Sequence, residues 1–334
     1  FLGSDGGSVV VLGREETREV MIPQRFPAMR VSGIYPQGGQ LLLITENGLY
    51  SLGDTLSAVR LPAPWYESSL TDIAMLREGE FWLSTRFGAL HYRDGDWEVF
   101  DRRVGLPTEY LTSVDIGADG EIWFGTFDLG VLCLRGGKWF VYEGDSGLKD
   151  NRISDLMVSG DGKVRALTLS GRLALFKGPG WIDDTPGGFL PRGEDAEQTS
   201  PLDFDDDPAV RILSESDTGQ DAVRTGVCIG PGAGGSCLFV DGRDIYSNRS
   251  GEWMKMPLPD PGYKITPCAV FESSRSELWL GTENDGLFVF RGGGWTHYSL
   301  SSRFKGQRVL AIAEDSRGSI WIGTAHRGLH RYQH

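Results

Sequence analysis

The phrase "EIWFGTFDLGVL" at residues 121–132 is written again as "ELWLGTENDGLFVF" from Glu277 and as "SIWIGTAHRGLHRY" from Ser319. A repeat of this kind constrains the fold more than any other feature, because each copy must bury its apolar face on a neighbour. The threonine that closes the short apolar run serves as a marker. It recurs at Thr45, Thr85, Thr126, Thr168, Thr282 and Thr324, and every step except the one from Thr168 to Thr282 is 40 to 42 residues. Counting back one period reaches Ser4 from Thr45 and Asp241 from Thr282, which makes eight copies. Nine of the ten tryptophans keep the same beat: Trp82, Trp123, Trp279 and Trp321 precede the marker, while Trp97, Trp139, Trp181, Trp253 and Trp295 follow it.

Each copy reads as four short strands. From Leu111 these are "LTSVDIG", "IWFGT", "VLCLRG" and "WFVYEG", separated by "ADGE", "FDLG" and "GK". Runs of β-branched and aromatic residues bounded by Gly and Asp turns are hairpin signals. No segment keeps a helical period, so the chain is all-β. A four-stranded unit with a period near 40 to 45 residues is the signature of a propeller blade. One blade cannot cover both of its apolar faces, so the blades must close into a ring, with the Trp residues as wedges between them. Six units are complete. The first lacks its innermost strand, and the last stops before a fourth. Residues 19–23, in "REVMIP", would supply that strand and give seven blades with a spare N-terminal hairpin; eight blades with both ends incomplete is the alternative. The whole chain, 1–334, is then one propeller domain.

The long step from Thr168 to Thr282 implies an insertion of about 30 residues. We place it at about 183–220, in the acidic, turn-rich "RGEDAEQTSPLDFDDDPAVRI", as a surface excursion from one blade. Asp203, Asp205, Asp206 and Asp207 offer oxygen ligands for calcium, but their spacing lacks the EF-hand pattern and its glycine, so a solvated loop is the reading and no metal is expected. Formal net charge is -13, which argues against nucleic acid or an anionic membrane surface as partner. No apolar run approaches the ~20 residues that span a bilayer, so direct membrane insertion by this segment is not expected. The start, "FLGSDGG", lacks the regions of a signal peptide. None of the four cysteines forms a C-x-x-C pair. Cys228 and Cys237 fall on neighbouring strands and are the one candidate bridge, although four free thiols is the expectation.

At "DGEIWFGTFDLGVL", "SELWLGTENDGLFVF" and "RGSIWIGTAHRGLHRY" the chain resembles the two-component regulator propeller repeat. "GLPTEYLTSVDIGADG" and "GLKDNRISDLMVSGDG" match that repeat's lead-in. The resemblance covers nearly the whole chain, weakly at the first copy and through the insertion. It implies a periplasmic or extracellular sensing domain of the kind that stands ahead of a membrane helix and a histidine kinase. No kinase, helix or output module accompanies these repeats, so the chain would be a sensor region or a free-standing propeller. The resemblance implies binding and brings no cofactor and no catalytic residues.

In such a ring, the loops from second to third strand and from blade to blade share one face. Here the former read "ENG", "RFG", "FDLG", "LSG", "ENDG" and "AHRG". Their flanking Thr and Gly are constant and the inner residues vary, as in a rigid frame that presents a variable surface. The candidate ligand-binding residues are Arg86, Phe87, Phe127, Asp128, Glu283, Asn284, Asp285, His326 and Arg327, joined by Tyr110, Asn151 and Arg152 from the blade-to-blade connections. Aromatics mixed with carboxylates, amides and Arg suit a small molecule, a glycan or a peptide, or a protein partner. A scaffold subunit is one rival. An enzyme is another, since "D-x-G-x-I-W" is similar to phrases of streptogramin lyase-like propellers and, more loosely, to sialidase Asp-box turns. Three of the five His residues, His326, His330 and His334, cluster in the last copy, where a polar edge strand accounts for them. No nucleophile elbow, HExxH or phosphate loop is present, so the chain reads as a non-catalytic binding module.

Overall fold

A computed structural model describes residues 9–12, 17–20, 29–63, 65, 70–186, 228–241, 244–249, 251–256, 259, 265–298 and 308–332. A short hairpin, β1 (Val9–Leu12) and β2 (Thr17–Val20), comes first. Blade 1 is β3 (Val31–Gln37), β4 (Gln40–Thr45), β5 (Gly48–Leu52) and β6 (Leu56–Ala58); blade 2 is β7 (Leu70–Arg77), β8 (Glu80–Thr85), β9 (Gly88–Arg93) and β10 (Asp96–Phe100). Blade 3 is β11 (Leu111–Ile116), β12 (Ile122–Thr126), β13 (Val131–Arg135) and β14 (Lys138–Tyr142); blade 4 is β15 (Ile153–Val158), β16 (Val164–Thr168), β17 (Leu173–Lys177) and β18 (Gly180–Asp183). Blade 5 is β19 (Cys228–Pro231), β20 (Cys237–Val240), β21 (Ile245–Ser247) and β22 (Met254–Met256); blade 6 is β23 (Pro267–Glu272), β24 (Leu278–Thr282), β25 (Leu287–Arg291) and β26 (Gly294–His297). Blade 7 holds β27 (Val309–Glu314), β28 (Ile320–Thr324) and β29 (Leu329–Tyr332).

Strand order within each blade is sequential and antiparallel. The innermost strands β3, β7, β11, β15, β19, β23 and β27 touch in turn, and β27 returns to β3. The chain is a seven-bladed β-propeller, and the eight-bladed alternative falls away. Ring closure differs from the expectation in its detail. The strand that joins β29 is β1, not residues 19–23, and it pairs in parallel: Val10 with His330, Val11 with Arg331 and Leu12 with Tyr332. Thr17–Val20 then adds a fifth strand beyond β1. The run "VVVL" has the higher strand propensity of the two segments, so it takes the inner position.

The core lies between blades rather than within them. Trp123, Val131 and Cys133 of blade 3 pack on Ile153, Leu156, Ala166 and Trp181 of blade 4. Trp279 and Val289 of blade 6 pack on Val309, Ile322 and Tyr332 of blade 7, and Trp321 of blade 7 packs on Val31, Ile34 and Leu43 of blade 1. Trp82, Trp123, Trp279 and Trp321 are all buried, as wedges between blades must be. Blade 4 departs from the pattern: Arg165 occupies the Trp position of β16 and is only 2% exposed.

The second residue of the innermost strand is a β-bulge in six blades, for example Thr71, Thr112 and Ser154. A bulge raises the local twist of the strand that carries it. The chain leaves blade 4 after Asp183 and enters blade 5 at Cys228. The insertion at about 183–220, Asp203 to Asp207 among it, lies outside the described residues beyond Pro186. The register sets Cys228 against Val240 and Cys237 against Pro231. That separation is three residues along the ladder, about 10 Å, too far for a disulfide. Cys133 and Cys237 are free thiols, and burial pushes them up to about 11 and about 12, where they stay protonated and inert.

Candidate functional site

The constant Thr clamps the loop that follows it. Thr126 Oγ1 donates to Gly130 O at 2.9 Å and accepts from Leu129 N at 2.8 Å. The same pair of bonds recurs at Thr45, Thr85, Thr168, Thr282 and Thr324. A hydroxyl can donate once and accept as well, which explains why no Val stands there. The constant Gly answers a close approach. Gly130 has φ +72°, and a Cβ there would lie 2.1 Å from Tyr142 O. A third bond ties five of these loops to the entry of their own blades. Phe127 N donates to Tyr110 O at 3.0 Å, Leu169 N to Arg152 O at 2.8 Å, Glu283 N to Thr266 O at 2.9 Å and Ala325 N to Arg308 O at 3.0 Å.

These bonds gather the sequence-predicted residues on one face, which we call the upper face. Phe87, Tyr110, Asp128, Arg152, Asn284, His326 and Arg327 are exposed there; Arg86, Phe127, Asn151, Glu283 and Asp285 are half-buried. Some are held by their surroundings. Both Asp128 oxygens accept from Thr108 Oγ1, at 2.9 and 3.1 Å. Arg152 grips Asp150 through two bonds of 2.9 and 3.1 Å, and this guanidinium, acting against burial, holds the Asp150 carboxyl below its ordinary range. Asp285 lends its carbonyl to His297 Nε2, which donates at 2.6 Å. Asn151 Oδ1 is buried without a hydrogen-bond partner among the described residues. Phe87, at 50% exposed, is the most open aromatic of the set.

The channel wall holds three carboxyls that sequence reasoning missed: Asp72 on β7, Asp115 on β11 and Asp155 on β15. The innermost strand of a blade is an edge, so its N–H groups need partners. Asp72 accepts from Ile73 N at 2.8 Å, from Val114 N of blade 3 at 3.0 Å and from Tyr35 Oη of blade 1 at 2.6 Å. Asp115 repeats the device one blade on, accepting from Ile116 N at 2.8 Å and from Val158 N of blade 4 at 2.6 Å. Asp155 accepts from Leu156 N at 2.8 Å. Each of the three residues is half-buried on an innermost strand. Burial pushes Asp72 up to about 6, Asp115 to about 7 and Asp155 to about 8; the charge of Asp72 adds to the last two, and that of Asp115 to the last. Tyr35 is driven well above its ordinary value by burial and by the Asp72 charge.

A pocket of about 270 Å³ opens beside Asp72 and Asp115, lined also by Ser159, Gly160, Pro231, Gly235 and Ser236. Pro231 ends β19 and the other four belong to turns between first and second strands, so the pocket lies at the lower mouth, opposite the predicted loops. Blades 4 and 5 meet there through Gly160 N, which donates to Gly235 O at 2.6 Å. A Cβ on Gly160 would stand 2.8 Å from the Gly235 Cα. Among the described residues, no three His, Cys, Asp or Glu side chains come together as a metal-ligand set.

Fold and site define a class: a seven-bladed propeller with a clamped loop frame on one face and an acid-lined channel. Residues 303–326 match the family model described as two component regulator propeller, which bears out the resemblance read from the repeats. No curated protein sequence matches the chain. Among solved structures, the chain is similar to the extracellular domain of the hybrid two component system BT3049 from B. thetaiotaomicron, at 17% identity and TM-score 0.61, covering 90% of this chain and 39% of that one. It thus spans about two-fifths of that structure's length. It is also similar to a catalytically inactive virginiamycin B lyase from Staphylococcus aureus with Quinupristin, at 15% identity and TM-score 0.66, covering 90% and 94% of the two chains. A third similar structure is YCF48 bound to D1 peptide, at 13% identity and TM-score 0.63, covering 94% and 96%. At these identities the likeness is one of fold. No helix among the described residues is long and apolar enough to cross a membrane.

Proposed function

We propose that this chain is the ligand-binding propeller of an extracytoplasmic signalling protein, that it is non-catalytic, and that its ligand sits on the upper face. The observation that carries the reading is the two component regulator propeller match at 303–326, in a chain where five of the other six blades repeat the same Thr–Gly frame. The frame supports recognition on physical grounds: the backbone of each loop is fixed by the Thr clamp, so variation of the inner residues changes the surface and leaves the fold alone. Exposed Phe87 and Tyr110 provide stacking surface, and Arg86, Asn151, Asn284 and Arg327 provide polar contacts. That mixture suits a glycan or a peptide. A periplasmic or extracellular location follows from the same reading. The chain brings no cofactor to it.

The lyase reading has one observation in its favour, the fold likeness to virginiamycin B lyase. Against it stand the contacts of two of the four described His residues. His91 is buried against Trp82 and bonded to Glu80, and His297 is stacked on Phe288 with its Nε2 spent on a backbone carbonyl. The test is a glycan and peptide array probed with the purified chain, followed by Phe87→Ala and Tyr110→Ala on any hit. Loss of at least tenfold in affinity with an unchanged melting temperature supports the proposal. Turnover of a bound compound, or affinity unmoved by both substitutions, overturns it.

A further inference from the structure

The channel carboxyls are the largest unexplained feature of the molecule. They sit on the innermost strands of three consecutive blades, and two of them reach across a blade boundary to a backbone N–H, Asp72 to Val114 and Asp115 to Val158. No cation offsets them among the described residues. From β3 the group that faces them is Tyr35, a neutral donor. β19 brings no charged residue, and β4 and β12 bring none. The nearby basic residues are spoken for: Arg165 on β16 turns to Asp184 and Ser159, Arg77 on β7 turns to Glu80 and Asp94, and Lys163 pairs with Asp161. Glu80 on β8 turns outward to His91 and Arg93. Cys237, on β20, stays a thiol.

Three carboxylates that share one enclosed wall without a counter-charge repel one another, and the strain falls on the seams between blades 2, 3 and 4. Protonation removes the charge and leaves an oxygen that still accepts the cross-blade N–H. We propose that Asp72, Asp115 and Asp155 form a proton-binding collar, and that proton uptake draws blades 2, 3 and 4 together. Asp72 and Asp115 reach the pocket at the lower mouth, but the strands of the collar begin at the upper face. Asp155 is three residues beyond Arg152, and the strand that carries Asp115 begins directly after Tyr110. Proton concentration therefore acts as a second input on the entries to the upper face, whatever binds there.

The sign of the effect is opposite to ordinary acid denaturation. Each group is raised in the folded chain, to about 6, about 7 and about 8, against an ordinary aspartate value of about 3.9. The folded state then holds more protons than the unfolded one between about pH 4 and pH 8, so stability falls as pH rises through that window. At pH 7 the three groups together carry roughly 1.5 protons that an unfolded chain releases.

The experiment is carboxyl-carbon NMR of the full chain with labelled aspartate, titrated from about pH 4.5 to pH 9, on the wild type and on Asp72→Asn. The expected result is at least two aspartates with midpoints above about pH 5.5, those of Asp115 and Asp155 being lower in Asp72→Asn because the charge that raises both is gone. A melting temperature that drops between about pH 5 and pH 8 accompanies it. Should Asp72→Asn fail to fold, the count of protons released when the wild type unfolds at pH 7 takes its place, with between one and two expected. Aspartates that all titrate below about pH 5, midpoints unmoved by the substitution, or a proton release near zero overturn the collar.

Discussion

Arg165 offers the sharpest test of the wedge account, because a cation stands where blades 2, 3, 6 and 7 carry Trp. Its guanidinium donates to Asp184 Oδ2 at 2.8 Å and to Ser159 Oγ at 3.1 Å, and its carbon centre lies 5.4 Å from the ring of Trp253 in blade 5. It therefore spans the seam between blades 4 and 5 as Trp123 spans the seam before it. Arg165→Ala removes two charge-assisted bonds, about 1.5–3 kcal/mol, and a desolvated cation–π contact, about 0.5–2 kcal/mol. It also empties the volume of the stem. Breaking a buried pair from one side costs about 3–5 kcal/mol. The Asp184 side chain is 18% exposed and can regain water, which places the expected loss near the lower end, about 3 kcal/mol. Arg165→Met keeps the stem and should lose about 1–2 kcal/mol. Paired with Asp184→Asn, it should cost less than the two single losses added, with a coupling of at least about 1 kcal/mol. Equilibrium unfolding in guanidinium chloride, with the slope checked for constancy, reads all four corners of the cycle. A loss below about 1 kcal/mol for Arg165→Ala, or an additive cycle, refutes the seam role.

Trp123 is fully buried among Tyr142, Phe176 and Trp181, with ring centroids 4.9 to 6.3 Å away, and Trp123→Ala should lose about 3–5 kcal/mol in the same unfolding assay. Thr126→Val deletes both clamp bonds and leaves the Leu129 N–H without its acceptor, while Gly130 O keeps the Thr126 N–H, a loss of about 1–3 kcal/mol; Thr126→Ser restores most of it, and equal stability of the two variants would show that the clamp is idle.

Much of this architecture is legible in the sequence because a repeat states the same physical problem many times. The Trp wedges and the Thr–Gly frame each solve one local requirement, so they recur at a fixed period and stand out. The carboxyl collar does not recur in that way. Asp72 and Asp155 follow the first residue of their strands by two places, Asp115 by four, and their partners lie in the next blade. A within-blade period cannot display a bond between blades. Closure by the N-terminal segment was legible, but the identity of the closing strand was hidden for a related reason: "VVVL" carries no turn or Trp marker, and its parallel pairing with β29 depends on where the last blade arrives in space. Arg165 was open to alignment, since "KVRALT" fills the place of "EIWFGT", but only its burial reveals that a cation does the work of a ring.

The claim on which the account rests is that recognition happens at the clamped loops of the upper face. Hydrogen exchange of the full chain, with and without the strongest hit from a glycan and peptide array, tests it most directly. The account predicts slowed exchange at residues 86–87, 110, 127–128, 151–152, 283–285 and 326–327, with the lower turns at 159–160 and 235–236 unchanged. Protection confined to those lower turns, beside the 270 Å³ pocket, would contradict it and move the site to the other mouth of the channel.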